Sequence, residues 1–545
     1  MKNDSCQEQR HFFGAVKLIA SLTVLSRIMG MLRAMAIASV GANRANDTFS
    51  LAFRIPNLFR RLFGEGALQS AFVPVFIETV ERDGFDKADR LLGNALGLLS
   101  VFLLLMTGFL TVGMFFFNAH WTVFPNQNLL FGLTAVMLPF MLTVCVLALC
   151  SAALNCRGHF AYPAATPIIL NLIIIIAAWF IAGRWHGDLT GKLYIIAISV
   201  SVAGVVQLAG VFPILRKYGF RVRPRLWPIE PGIRSILRTM APMLIGLGFL
   251  QLNELLEQSI AYGLTATAES PTFALFGMTI YKPLREGVLV RLDAARFLYQ
   301  FPMGVLANSL AVAIFPLLSR YGARGDKTNM RETLNRALRL SSLESIPAGV
   351  GLFLLAEPIT ALLYQHRNFK HQDAQQAAFF LQMYVLGMWA YCTYQIFARA
   401  FYSVKDTLTP LKVSCCLVFV ELGMILALIW FPALGAGAFG LTTATVFTLN
   451  ALILAMLLRK RMGRFGGRNL ATSIGRTVIS SAIMGGAILA ARWGLARTGI
   501  DSNGAIIAIC VPAGIAVFLL MTKLMQGQEL AEVLGMIKKR QHAEQ

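Results

Sequence analysis

The sequence predicts an all-α polytopic membrane protein: about fourteen transmembrane helices, as two six-helix lobes around a central cavity plus two C-terminal helices. Three observations predict it. The 545 residues are 56% hydrophobic and only 14% charged, where a soluble chain carries roughly 25% charged residues. The mean hydropathy is +0.63. Apolar stretches recur along the whole length, each near the about 20 residues that a spanning helix needs, and short loops separate them. These features exclude an aqueous enzyme and a disordered chain. The 39 Phe and 22 Met suit lipid-facing and helix-packing surfaces.

Taken in order, the apolar runs place helices near 13–40, 46–77, 91–117, 128–154, 161–183, 193–215, 236–263, 292–319, 338–364, 374–403, 409–431, 435–458, 473–491 and 504–523. The first two are polar enough to escape a hydropathy window. Lys17, Arg27 and Arg33 interrupt the first apolar stretch, so no signal peptide is expected there. Cys145, Cys150, Cys392, Cys415, Cys416 and Cys510 lie inside apolar runs and are read as small hydrophobes rather than a disulfide framework. No Cys/His cluster has zinc spacing. The tract 264–290 is longer than the neighbouring outer loops and is expected to form a short amphipathic piece.

The distribution of Lys and Arg sets the orientation. With a cytoplasmic N-terminus, most of the 49 fall in cytoplasmic segments, in clusters from Arg216 to Arg238, Arg320 to Arg339 and Arg459 to Arg476. The loops at 118–127 and 431–434 contain none. Both termini are therefore expected in the cytoplasm. The formal charge of +22 is a topology signal first, with attraction to anionic membrane lipids second. Nucleic acid is excluded as a partner, because no basic soluble domain exists to bind it. The charged loop 218–235 divides a first lobe, 1–217, from a second, 236–461. Residues 462–523 hold the last two helices, and 524–545 form a cytoplasmic tail. Two such lobes suit alternating access, in which one bundle rocks against another around a central site.

The first two spans carry residues that membrane physics disfavours. An arginine within the bilayer costs at least ~2.5–3.5 kcal/mol unless it meets water or a partner. Arg27, Arg33, Arg54, Arg60 and Arg61 all fall there, and Arg296 stands near the start of the eighth span. A single arginine near a span end snorkels to the headgroups, which is the simple reading for Arg54 or Arg61 alone. Snorkelling does not account for so many in two adjacent helices. Guanidinium never deprotonates and matches phosphate bidentately, so a cavity lined this way suits a phosphate or pyrophosphate. Asn57, Arg61 and Gly64 share one face of the second span. Glu65 is placed to pair with Arg61 or orient Arg60, and Asp47 stands at the outer mouth. Pro56, Pro74 and Gly30 permit bends.

The run LSRIMGMLRAMAIASVGANRANDTFSLAFRIPNLFRRLFGEGALQSAFVPVF resembles the opening two helices of the MurJ (MviN) lipid II flippases, of the multidrug/oligosaccharidyl-lipid/polysaccharide exporter superfamily. LNCRGHFAYPAATPIILN, ARFLYQFPMGVLANSLAVAIFPLLSR and ARAFYSVKDTLTPLKV match further along, and NLFRRLFGEGALQSAFVP is the most specific stretch. The resemblance implies a flippase for the undecaprenyl-pyrophosphate-linked peptidoglycan precursor, in the bacterial inner membrane, serving cell-wall synthesis and working as a monomer. It implies contact with membrane lipids and with the cell-wall synthesis machinery. It places Arg27, Arg33, Arg60 and Arg296 in the central cavity with Asp47 and Glu65 as the matching acids, and a groove for the lipid tail beside the last two helices. Ala34 and Ala295 stand where the family often has an acid, and Asp293 is the candidate replacement partner for Arg296.

No cofactor and no nucleotide motor is encoded. Lys327 and Thr328 follow Asp326 rather than the glycine of a phosphate-binding loop, and the glycines from Gly435 to Gly440 open a membrane helix, which reads as close helix packing. Energy is expected from an ion gradient, the membrane potential or consumption of the product. Glu254 and Glu257 in the seventh span and Glu421 in the eleventh are intramembrane acids, and Thr442, Thr443 and Thr445 offer oxygen ligands. The resemblance implies a sodium site between these helices. The residues themselves suggest a cation or proton site using Glu257 and Glu421, or glutamates that pair locally. The competing functions are a flippase for another polyprenyl-linked glycan, a multidrug exporter and a membrane glycosyltransferase. The cationic face argues against cationic drugs, and the short outer loops argue against a glycosyltransferase.

Overall fold

The computed structural model describes residues 2–64, 67–122, 126–275, 277–463, 467–526 and 529. It is built almost wholly of helices, in two compact units, Met1–Val290 and Arg291–Gln545.

The first unit runs α1 (Lys2–Ala38), α2 (Arg44–Phe59), α3 (Ala67–Asp83), α4 (Phe85–His120), α5 (Gln127–Cys156), α6 (Ala161–Ile176), α7 (Leu189–Lys217) and α8 (Pro231–Gly263). The second span expected at 46–77 is two helices. Pro56 supplies no amide to the α2 ladder, and a π-turn over Arg60–Gly64 follows before α3 begins. A second π-turn, Ala177–Ile181, ends α6. α5 is the enclosed centre of this unit, flanked by α2, α4 and α7. Without a hydrophobic drive inside lipid, such contacts depend on close approach. A Cβ at Gly204 of α7 would lie 2.1 Å from the Thr143 hydroxyl of α5, so only glycine permits that crossing. Leu68, Phe72, Phe76, Leu91, Leu154, Leu215 and Phe220 join α3, α4, α5 and α7 in one core.

The tract expected as a short amphipathic piece is a β-hairpin: β1 (Thr272–Leu275) pairs antiparallel with β2 (Met278–Tyr281), Thr272 opposite Tyr281. Phe273, Ile280 and Tyr281 are the β-formers that favour it.

α9 (Val288–Arg324) leads into the second unit, followed by α10 (Lys327–Leu354), α11 (Ala356–Tyr364), α12 (His371–Val385), α13 (Met388–Ser403), α14 (Leu408–Leu428), α15 (Gly437–Met462), α16 (Gly467–Arg497) and α17 (Asn503–Leu524). The span expected at 338–364 bends by 69° between α10 and α11. The one at 374–403 breaks at Leu386 and Gly387 between α12 and α13. Leu318, Leu334, Phe397, Phe401, Leu454 and Leu458 form one core, and Leu343, Met484, Ile488 and Phe518 tie α10 to α16 and α17. The Gly435–Gly440 run packs as expected: a Cβ at Gly437 would lie 2.6 Å from the Phe379 ring, and one at Gly440 2.8 Å from the Tyr384 nitrogen.

Among the described residues, nine helices are long and apolar enough to cross a membrane, and the bent α10–α11 pair makes a tenth. The count of about fourteen expected from the sequence is not reached by this measure. The shortfall falls on α2, α3, α8, α9, α12 and α13. These include the helices that bear most of the flagged charges.

Candidate functional site

In the first unit the charged residues of α1, α2 and the π-turn sort into three arrangements. Arg54, Asn57 and Arg61 stand on one face, and α8 presents Gln251 and Glu254 to them. Glu254 accepts from Arg54 Nη1 at 2.5 Å through one oxygen and from Arg61 Nη1 through the other. Arg61 also donates to Gln251 Oε1 at 3.3 Å. The cleft between them encloses about 10 Å³, room for little more than one water. Arg54 and Arg61 are therefore ion-paired within the protein. Arg60, held in the π-turn, turns its Nε to Asn57 Oδ1 at 2.8 Å. Glu65, the acid expected beside Arg61, lies outside the described residues.

The second arrangement sits at the start of α2. Asp47 is fully buried and accepts from the Gly287 amide at 2.7 Å and the Val290 amide at 3.1 Å. Its carboxylate thus caps the first turn of α9, where free amides and the helix dipole favour negative charge. Three residues earlier, Arg44 donates to the Tyr262 carbonyl at 2.9 Å, with its guanidinium 3.5 Å from the Tyr262 ring centre. The Tyr262 hydroxyl lies 2.8 Å from that of Thr48. Sequence reasoning missed Arg44. Its signal was its place at a helix start, beside the buried acid Asp47. The third arrangement is on α1, where Arg33 lies over the Phe53 ring at 5.6 Å and Arg27 is half-buried.

In the second unit Arg296 is buried and donates to the Tyr384 hydroxyl at 2.8 Å, while Tyr299 stacks on Tyr384 at 5.6 Å. Arg291 pairs with Asp373 at 2.8 Å, a buried pair that sequence reasoning also missed. Asp293 is half-buried.

The acids considered for a cation site are described unit by unit. Glu254 is the counter-ion of two arginines. Glu257, buried, accepts from Asn253 one helical turn away at 2.9 Å, in the first unit. Glu421 belongs to the second unit, buried, and accepts from the Thr443 hydroxyl at 3.0 Å. The Thr443 hydroxyl also lies 2.8 Å from the Phe439 carbonyl, so its one hydrogen is shared between the two acceptors, and Thr442, fully buried, donates to the same carbonyl at 3.1 Å. Thr445 donates to Leu441 at 2.8 Å. Among the described residues, no three His, Cys, Asp or Glu side chains come together as a metal site. Glu421 and Thr443, both candidates, meet within the second unit.

Comparison with known proteins covers most of the chain. A family model described as lipid II flippase MurJ matches residues 37–500. A probable lipid II flippase MurJ of Rhizobium tropici is 29% identical over 96% of both chains. A solved lipid II flippase MurJ in an inward closed conformation superposes with TM-score 0.74 at 21% identity, covering 93% of this chain and 98% of that one. An inward-facing multidrug resistance MATE transporter superposes with TM-score 0.64 at 12% identity, covering 82% of this chain and 98% of that one, a likeness of fold alone.

Proposed function

The chain belongs to the lipid II flippase MurJ family, and from that premise we propose that it carries lipid II from the cytoplasmic to the outer leaflet by alternating access. It is a multi-pass bacterial inner-membrane transporter and not an enzyme. The observation that carries the reading is the match over residues 37–500, which takes in the arginine-bearing α2 and α9.

The physical task is to escort a diphosphate past hydrocarbon while its polyprenyl tail stays in lipid. Arg27, Arg33, Arg60 and Arg296 are assigned to the pyrophosphate, because a permanent planar cation offsets its charge at any physiological pH. Asn57 presents Arg60, and Glu254 keeps Arg54 and Arg61 neutralised until a phosphate competes for them. Asp47 supports the same function indirectly, by fixing the start of the helix that carries Arg296. Glu421 with Thr443 is the better-supported cation or proton site, coupling transport to a gradient of sodium or protons or to the membrane potential. Both termini face the cytoplasm, the monomer is the working unit, and cell-wall enzymes consume the product on the far side.

The test is leaflet accessibility of lipid II in cells depleted of their own flippase and supplied with this chain. Arg33→Ala or Arg60→Ala is expected to abolish translocation while the protein accumulates in the membrane at normal levels. Full complementation by either variant removes these arginines from the mechanism.

A further inference from the structure

A second concentration of cationic side chains lies away from the α2 face, where the chain leaves α7 and runs beside the start of α4. Residues 220–226 form neither helix nor strand there, and burial separates their side chains. Phe220 is buried against Phe76 and Phe85, and Val222 packs on the same core. Arg221, Arg223 and Arg225 are all exposed.

The strap is pinned along its length. A Cβ at Gly93 would lie 2.4 Å from the Arg223 carbonyl oxygen, and one at Gly97 2.4 Å from that of Arg225, so two glycines of α4 let the backbones touch. Between them Asn94 donates to the Arg225 carbonyl at 3.1 Å and accepts from the Glu230 amide at 2.9 Å. The Arg225 amide donates to the Gly93 carbonyl at 3.0 Å, and Asp89 accepts from the Arg221 amide at 3.3 Å. A cleft of about 270 Å³ results, lined by Asp86, Asp89, Arg90, Arg221, Arg223 and Arg225. Arg90 lies 3.6 Å from Glu230. Among the described residues, Arg221, Arg223 and Arg225 make no ion pair. Four guanidinium groups therefore face two carboxylates around open space, with three of the cations uncommitted.

We propose that this cleft binds a phosphate-bearing anion at the membrane surface, with an anionic phospholipid headgroup as its occupant. Pinning the strap uses its backbone together with Phe220 and Val222, so it does not explain three exposed arginines at 221, 223 and 225. A phosphate diester meets that donor set with bidentate, charge-assisted bonds. Two further features favour a lipid over a soluble ion. α4 and α7 are both apolar enough to span, and the cleft forms at the start of one and just past the end of the other. Immediately after the arginines come exposed Leu226, Trp227 and Ile229, with Trp227 78% exposed. A tryptophan beside basic residues at a span end is the composition of an interfacial anchor.

The full-length protein in detergent is titrated separately with short-chain phosphatidylglycerol, short-chain phosphatidylcholine and inorganic phosphate. Occupancy is read from tryptophan emission, and Trp227→Phe identifies the local signal. Phosphatidylglycerol is expected to saturate the signal and phosphatidylcholine to leave it unchanged. The Arg221→Gln/Arg223→Gln/Arg225→Gln variant is expected to weaken binding at least about tenfold, as the loss of several charge-assisted bonds requires. Arg223→Gln alone weakens it in the same direction and serves if the triple variant does not fold. Inorganic phosphate binding as tightly as the lipid overturns the lipid assignment. No saturation in either phosphate arm, or unchanged affinity in the glutamine variants, overturns the site.

Discussion

A cation surrounded by apolar helices has to be answered locally, and the arginines of this chain are answered in different ways. Arg54 and Arg61 share one carboxylate, Arg44 has an aromatic face and a carbonyl, and Arg296 has a phenol. The answers differ in what they leave available. A carboxylate neutralises the guanidinium, whereas a phenol or carbonyl satisfies a donor without itself adding a counter-charge. The arginines were legible in the sequence because a charge in an apolar run is conspicuous. Their partners were not, because Glu254, Tyr262 and Tyr384 lie 200, 218 and 88 positions from the arginines they meet. Local spacing offered Glu65, which lies outside the described residues, and, for Arg296, Asp293. The shared carboxylate gives a sharp expectation. Glu254→Gln removes the carboxylate that two cations share and should cost about 1–3 kcal/mol, less than the about 3–5 kcal/mol of a fully buried pair because the side chains remain partly solvated. Thermal unfolding in detergent measures it, and Arg54→Gln added to Glu254→Gln should recover part of the loss, as coupled residues do. Simple additivity of the two losses contradicts the shared pair.

Helices here are positioned by their ends and interruptions more than by their apolar faces. Asp47 illustrates this: the sequence places it at the outer mouth, and its two oxygens hold backbone amides at the start of α9. Asp47→Ala should lower stability by about 1–2 kcal/mol and Asp47→Asn by less, since the amide keeps one acceptor oxygen. Equal melting temperatures for wild type and Asp47→Ala would remove the capping role. At the head of α14, Asp406 accepts from the Thr409 hydroxyl at 2.7 Å and amide at 3.0 Å and pairs with Arg461. Burial works against its ionisation, but these bonds outweigh burial and hold the carboxyl at about 2, below its ordinary 3.8. A depressed acid contributes stability that is whole above its unfolded value, about 3.9, and is lost as pH falls through the folded one. Between about pH 4 and 2, wild-type protein should lose more stability than Asp406→Asn, read as the difference of their melting temperatures across that range. Element boundaries were legible where apolar runs are long, as in α4, α5 and α7. They were not legible at the π-turn of Arg60–Gly64, the break before α13 or the β-hairpin. Tertiary packing decides those: Gly387 interrupts its helix where a Cβ would lie 2.5 Å from Ala444.

For the whole molecule the unsettled quantity is the number of crossings, and charge and apolarity give different answers. Apolarity counts nine helices, or ten with the bent pair, among the described residues. On the topology proposed from the alternation of Lys and Arg, α8 and α9 cross as well, with the basic segments 216–238 and 320–339 on one side and the hairpin tract between them on the other. Helices bearing paired charges fail a hydropathy test for the reason they are useful: Glu254 lowers the apolarity of α8, and its two arginine partners remove most of the cost of burying it. Nine crossings put the termini on opposite sides, while fourteen put them on the same side. Reporter fusions resolve the two. A fluorescent protein joined after Arg225 and another at the C-terminus should both be bright, as cytoplasmic fusions are, and alkaline phosphatase joined after Ser270 should be active outside. An inactive phosphatase at Ser270 would show that α8 does not cross, which would deny the arginines of α2 a partner at membrane depth. A dark C-terminal fusion would make the count odd. Either result breaks the link from charge pattern to topology, on which the cytoplasmic placement of the Arg221–Arg225 strap also depends.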